Sequence, residues 1–251
     1  MSDMPPPPPP NMAPPPGYIA YGGQGAAPRN VQNIGGLTKA LVTLLVILLP
    51  LQLLSVISTI NINSKASDFL NGSASEADFK RAAQVNLGQL AGLLIIPIAV
   101  LTIIWMFRMA GNLRSLGRTG ATWAPGWAIG GWFVPPCVLY VVPWLMFKEL
   151  WKGSDPGVAA GDPTWKSGRV SPLITVWWVL YGLVPLLGFV TSASIVSQFN
   201  TDNDFVSIAE QFDKYAAINI ALAVVGIATT AVYLVMVRQL SARHMQATRE
   251  S

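Results

Sequence analysis

The chain has 251 residues, of which 52% are hydrophobic and only 11% charged, and a formal net charge of +4. Soluble domains carry about a quarter charged residues, so this composition excludes an ordinary water-soluble globular fold. The basic excess lies in short stretches beside long apolar runs, which is the pattern of the positive-inside rule and not of a nucleic-acid-binding surface. With Cys137 as the single cysteine, an intrachain disulfide, a CxxC pair and a thiolate metal cluster are excluded as well.

Residues 1–36 contain Pro5 to Pro10 and Pro14 to Pro16, followed by Tyr18, Tyr21 and several glycines. Such a segment favours polyproline II and buries too little apolar surface to repay its ordering, so it is expected to be a disordered cytoplasmic tail. It is read either as a plain spacer or as a docking segment for an aromatic-lined partner groove. No cleavable signal peptide is evident, and the first apolar run is read as a retained anchor.

Beyond the tail, five runs lack Asp, Glu, Lys and Arg: Ala40 to Ser64, Ala82 to Phe107, Thr119 to Phe147, Val170 to Thr201 and Tyr215 to Val237. Each could cross a hydrocarbon core about 30 Å thick, which takes roughly 20 helical residues. The fold class is therefore all-α, a helical integral membrane domain over residues 37–240 followed by a short basic tail over 241–251. Spans are expected at about 37–60, 87–106, 172–196 and 215–237, with Asn61 to Asn86 a polar loop between the first two.

Charge decides the parity of the crossings. Arg108, Arg114 and Arg118 follow the second span without an acidic residue among them, and Arg238, Arg243 and Arg249 follow the last. Both stretches are expected in the cytoplasm, whereas the loop with Asp202, Asp204, Glu210 and Asp213 against Lys214 is expected outside. Those placements agree only if 126–151 does not cross. That segment holds Pro135, Pro136 and Pro143, which break helices, and Trp127, Trp132, Trp144 and Trp151, which prefer the membrane boundary. The expectation is four spans plus a re-entrant or interfacial segment, with five spans as the alternative.

The block Trp105-Met106-Phe107-Arg108, Asn112-Leu113, Pro125-Gly126-Trp127-Ala128, Gly131-Trp132-Phe133-Val134-Pro135, Pro143 and Lys148-Glu149-Leu150-Trp151 resembles the DUF4328 family. The resemblance covers roughly Leu37 to His244 and implies a multi-pass membrane protein of the kind common in actinobacteria, with no activity attached. The chain departs from the family pattern at Cys137 to Val142, an apolar stretch where the pattern carries asparagine and often arginine.

No paired intramembrane carboxylates, phosphate loop, GxSxG elbow or HExxH occurs, so neither an enzyme nor a bound cofactor or metal is expected. His244, the only histidine, falls in the charged terminal stretch and is expected to be solvated. The spans contain no ionisable groups of the sort a coupled transporter uses. The expected function is that of a non-enzymatic interaction or scaffold protein of the cell membrane, with both termini cytoplasmic. Its expected partners are the bilayer, an anionic lipid or protein on the cytoplasmic side, and further copies of itself, but no nucleic acid. The alternative is a channel or transporter subunit with 126–151 lining the pathway. The candidate contact site comprises Arg108, Asn112, Arg114, Arg118, Trp123 and Trp127, with Lys148 and Lys152 brought to the same face, a set suited to an anionic headgroup or an acidic segment.

Overall fold

The computed structural model describes residues 31–84, 88–133, 140–183 and 205–250. The proline-rich run, Cys137, the second half of the 172–196 span, and Asp202 and Asp204 lie outside the described residues. Three of the predicted spans appear as long helices: α1 (Gly35–Leu70), α3 (Gly88–Ser115) and, at the end of the chain, α8 (Ala216–Thr248). All three are long and apolar enough to cross a membrane. At about 1.5 Å per residue they measure roughly 40–55 Å, more than the hydrocarbon thickness, so each projects beyond it. Leu93 and Ile96 on α3 are 71% and 72% exposed, which water would penalise and acyl chains do not. Pro50 and Pro97 sit inside α1 and α3 without ending them, as membrane helices permit.

Both ends of the predicted boundaries move outward for the same reason. The expected polar loop from Asn61 is helical as far as Leu70 because Ile62, Ala66 and Phe69 recur on one face. They pack with Phe79 of α2 (Glu76–Gln84) and Ala209 of α7 (Phe205–Lys214) into a small apolar cap. At the opposite, basic end, α8 does not give way to a tail at residue 241. It continues to Thr248, with Ser241, His244 and Thr248 buried.

Inside lipid, helices gain little from apolar burial alone, and packing with interhelical hydrogen bonds joins them, typically by about 0.6–2 kcal/mol per bond. Ser241 on α8 is the meeting point. Its Oγ accepts from Thr38 of α1 at 3.0 Å and from the Trp105 indole of α3 at 3.1 Å. Farther along, the hydroxyls of Thr102 and Tyr233 lie 2.7 Å apart and join α3 to α8.

The tryptophan-rich segment between α3 and residue 153 contains a short α4 (Trp127–Gly130) and α5 (Val141–Gly153). Residues 134–139 of it lie outside the described residues. Its two ends meet. Buried Arg118, just past α3, donates from Nε to the Gly153 carbonyl at 2.9 Å, and its other nitrogens reach the carbonyls of Asp155, Val158 and Ala159 at 2.8–3.0 Å. Gly117, at φ +67°, lets the two loops touch, and a Cβ there would lie 3.0 Å from the Gly161 nitrogen. Residues 118 and 153, which bound the segment, therefore lie side by side. A 3-10 turn (Pro163–Ser167) follows, then α6 (Pro172–Trp178), which runs antiparallel to α5. Phe147 meets Trp177 at 5.1 Å, Trp144 stacks on Trp178 at 4.4 Å, and Tyr140 meets Tyr181 at 4.8 Å.

Burial draws the Arg118 pKa below the usual arginine value while Asp155 and Asp162 act the other way; the side chain is a charged clamp for carbonyls. Arg118→Ala strands four carbonyls, so thermal unfolding in detergent should reveal a loss of about 3 kcal/mol or more, with Arg118→Lys recovering part of it.

Candidate functional site

At the basic end, the segment entering α1 is held by side chains from α3 and from the end of the chain. Arg108 donates to the Asn33 carbonyl at 2.8 Å. One turn later on the same face, Asn112 pairs with the backbone of Gln32: Gln32 N donates to Oδ1 at 2.8 Å, and Nδ2 donates to the Gln32 carbonyl at 2.9 Å. Glu250 closes the arrangement, because its carboxylate accepts from Ile34 N and Gly35 N at 2.6–3.1 Å. A carboxylate at a helix N-terminus satisfies orphan amides and favours the dipole. The Arg108–Asn112 pair, expected to meet an anionic headgroup or an acidic segment, instead holds the backbone of its own chain at Gln32 and Asn33.

His244 is the principal correction to the sequence reading. It is fully buried, with Nε2 3.0 Å from Asn112 Nδ2 and Nδ1 2.8 Å from Ser154 Oγ. The expectation of a solvated histidine failed because α8 continues through it. Val237, Ser241, His244 and Thr248 are all buried at helical spacing, and that periodicity was the available signal. Because the Gln32 backbone fixes the orientation of the Asn112 amide, the second hydrogen of Nδ2 points to Nε2. The ring is therefore neutral and carries its proton on Nδ1, toward Ser154.

A serine, a histidine and an asparagine in line invite comparison with a nucleophile, its base and an orienting group. Two observations oppose that use. All three residues are fully buried, and the ring nitrogen facing the hydroxyl holds a proton when it should accept one. The trio is a polar seal between α3, α5 and α8.

The other predicted residues separate. Arg118 is consumed by carbonyls, whereas Arg114 is exposed beside a shallow hollow of about 250 Å³. Arg243 joins Asp155 at 2.5 Å and the Trp151 carbonyl at 3.2 Å. Trp123 and Trp127 meet edge to face at 5.6 Å. Trp123 also borders a cleft of about 290 Å³ with Lys148, Glu149, Lys152, Trp165 and Lys166. The sequence reading had Lys148 and Lys152 but not Trp165 and Lys166. Those two are delivered by the turn that Asp162 starts by accepting from Thr164 N at 2.8 Å, ahead of Pro163, and the Asp-Pro pair was the legible cue.

The family model of a domain of unknown function, DUF4328, matches residues 70–242. The chain belongs to the DUF4328 family. The match takes in α2 through most of α8 and starts later than the resemblance did, leaving nearly all of α1 outside the DUF4328 region. No curated protein and no solved structure matches the chain.

Asn112→Ala removes partners from both Gln32 backbone groups and from His244. Thermal unfolding should register a loss of about 2–3 kcal/mol, against under about 0.5 kcal/mol for exposed Arg114→Ala. Equal, small effects of both substitutions would show that the seal carries no stability.

Proposed function

We propose that this DUF4328 protein is a non-enzymatic membrane interaction protein whose basic end faces the cytoplasm and engages anionic lipid headgroups. The observation that carries this reading is the contact of exposed Trp127 with Trp123, which borders a cleft lined by three lysines. Trp127, Ile129 and Phe133 are exposed on and just after α4. Apolar side chains that enter the interface beside lysines that meet phosphates are the usual means of holding a protein surface to an anionic leaflet. An acidic partner segment would meet the same cations, but the exposed Phe133 and Ile129 favour lipid.

The four-crossing topology belongs to this reading. It is supported by the Arg118 to Gly153 bond, which brings both ends of the tryptophan-rich segment to one side. A conducting pathway along that segment is disfavoured, since Val142, Met146, Phe147 and Leu150 of α5 are buried in the apolar core.

In detergent, added phosphatidylglycerol should raise the unfolding temperature by several degrees more than phosphatidylcholine does, since a ligand that binds only the folded state stabilises it. The difference should shrink near 1 M salt, where the Debye length is about 3 Å. Equal stabilisation by the two lipids at low salt would remove the anionic-lipid reading.

A further inference from the structure

The cleft beside Trp123 contains an electrostatic arrangement that folding alone does not explain. Lys148 and Lys152 stand one turn apart on α5, and Lys166 comes from the 3-10 turn opposite. Lys152 Nζ donates to the Lys166 carbonyl at 2.8 Å, and Lys148 Nζ lies 4.0 Å from the centre of the Trp144 ring. Lys166 Nζ lies over the turn at Gly120, 2.8 Å from where a Cβ would be, and Gly120 at φ +70° leaves that space open. Glu149, the one acid bordering the cleft among the described residues, accepts from Thr122 N at 2.9 Å and Trp123 N at 3.0 Å through its two oxygens. Among the described residues none of the three lysines forms an ion pair with a carboxylate. Trp165, 1% exposed in the wall, has an Nε1 with no acceptor among the described residues.

The three ammonium groups around this cleft outnumber its one bordering carboxylate among the described residues, Glu149, and repel each other. That excess of positive charge is relieved by a compact anion rich in oxygen. We infer that the cleft is a binding site for the phosphomonoester headgroup of a membrane lipid. This rests on the anionic-lipid reading above and narrows it to a place and a chemical class. A phosphomonoester carries about −1.5 to −2 charge at pH 7, with a second pKa near 6, and three terminal oxygens. A phosphodiester offers one charge and two such oxygens. Lysines suit this task as point charges that do not need the planar match an arginine makes with its acceptor. Exposed Trp127, which touches Trp123 at the edge of the cleft, selects the lipid over a soluble phosphate.

The test measures retained lipid by native mass spectrometry on the detergent-solubilised full chain, with phosphatidic acid, phosphatidylglycerol and phosphatidylcholine of identical acyl chains in competition. At pH 7.5 phosphatidic acid should be retained about tenfold better, the equivalent of one additional charge-assisted contact. The preference should fall toward unity at pH 5.5, as the headgroup takes up its second proton. Lys148→Gln combined with Lys166→Gln should abolish the preference without lowering the unfolding temperature, and Lys148→Arg with Lys166→Arg should retain most of it. Arg114→Gln, which removes a cation outside the cleft, should leave it unchanged. An excess of inorganic phosphate or glycerol 3-phosphate should displace phosphatidic acid poorly; efficient displacement would overturn the lipid assignment in favour of a soluble phosphate. A parent protein that retains both anionic lipids equally, or a preference that survives the double glutamine variant, overturns the cleft assignment while leaving the broader reading intact. No preference for either anionic lipid over phosphatidylcholine overturns both.

Discussion

The structure depends on one constraint: polar groups at the end of an apolar bundle must find partners within the protein. Backbone amides and carbonyls buried away from water cost several kcal/mol each when left alone. The basic end answers with side chains drawn from distant parts of the sequence. Glu250 caps α1, Asn112 substitutes for a neighbouring strand beside Gln32, and Arg118 gathers four carbonyls, one from the last residue of α5 and three from the loop after it. Because each bond joins segments far apart in sequence, together they fix which helix ends lie side by side.

The proposed function follows from that closure. Arg118 and Arg243 are consumed in holding the loop, which leaves the lysines of α5 and the 3-10 turn as the cations turned toward a cleft. The tryptophans divide in the same way. Trp105 and Trp177 are buried in the core, whereas Trp127 is exposed beside the cleft. One composition, basic and aromatic, thus seals the bundle and, in the proposed function, also meets the lipid outside it.

Much of the fold could be read from the sequence, since charge-free apolar runs announce membrane helices and require no long-range information. The spans near Leu41, Trp105 and Tyr233 were legible in this way. The ends of the helices were not. Residues 61–70 and 241–248 are polar enough to resemble loop and tail, and their helicity follows from partners distant in sequence: Phe79 and Ala209 at one end, Asn112 and Ser154 at the other. For the candidate site, the sequence identified Arg108 and Asn112 as neighbours on one helical face. It could not reveal that Gln32 and Asn33 already occupy them. Lys166 and Trp165 join the cleft only through tertiary folding, which no local pattern encodes.

The central claim is that the tryptophan-rich segment re-enters, so that the loop after α5 lies on the same side as the end of α3 and opposite the α1–α2 turn. Single cysteines at exposed Ser167 and Ser73 in a Cys137→Ser background, treated with an impermeant thiol reagent on intact cells and then on inside-out vesicles, test it directly. Re-entry predicts that Ser73→Cys reacts only on intact cells and Ser167→Cys only on the inverted vesicles. Labelling of both positions from the same side would contradict it.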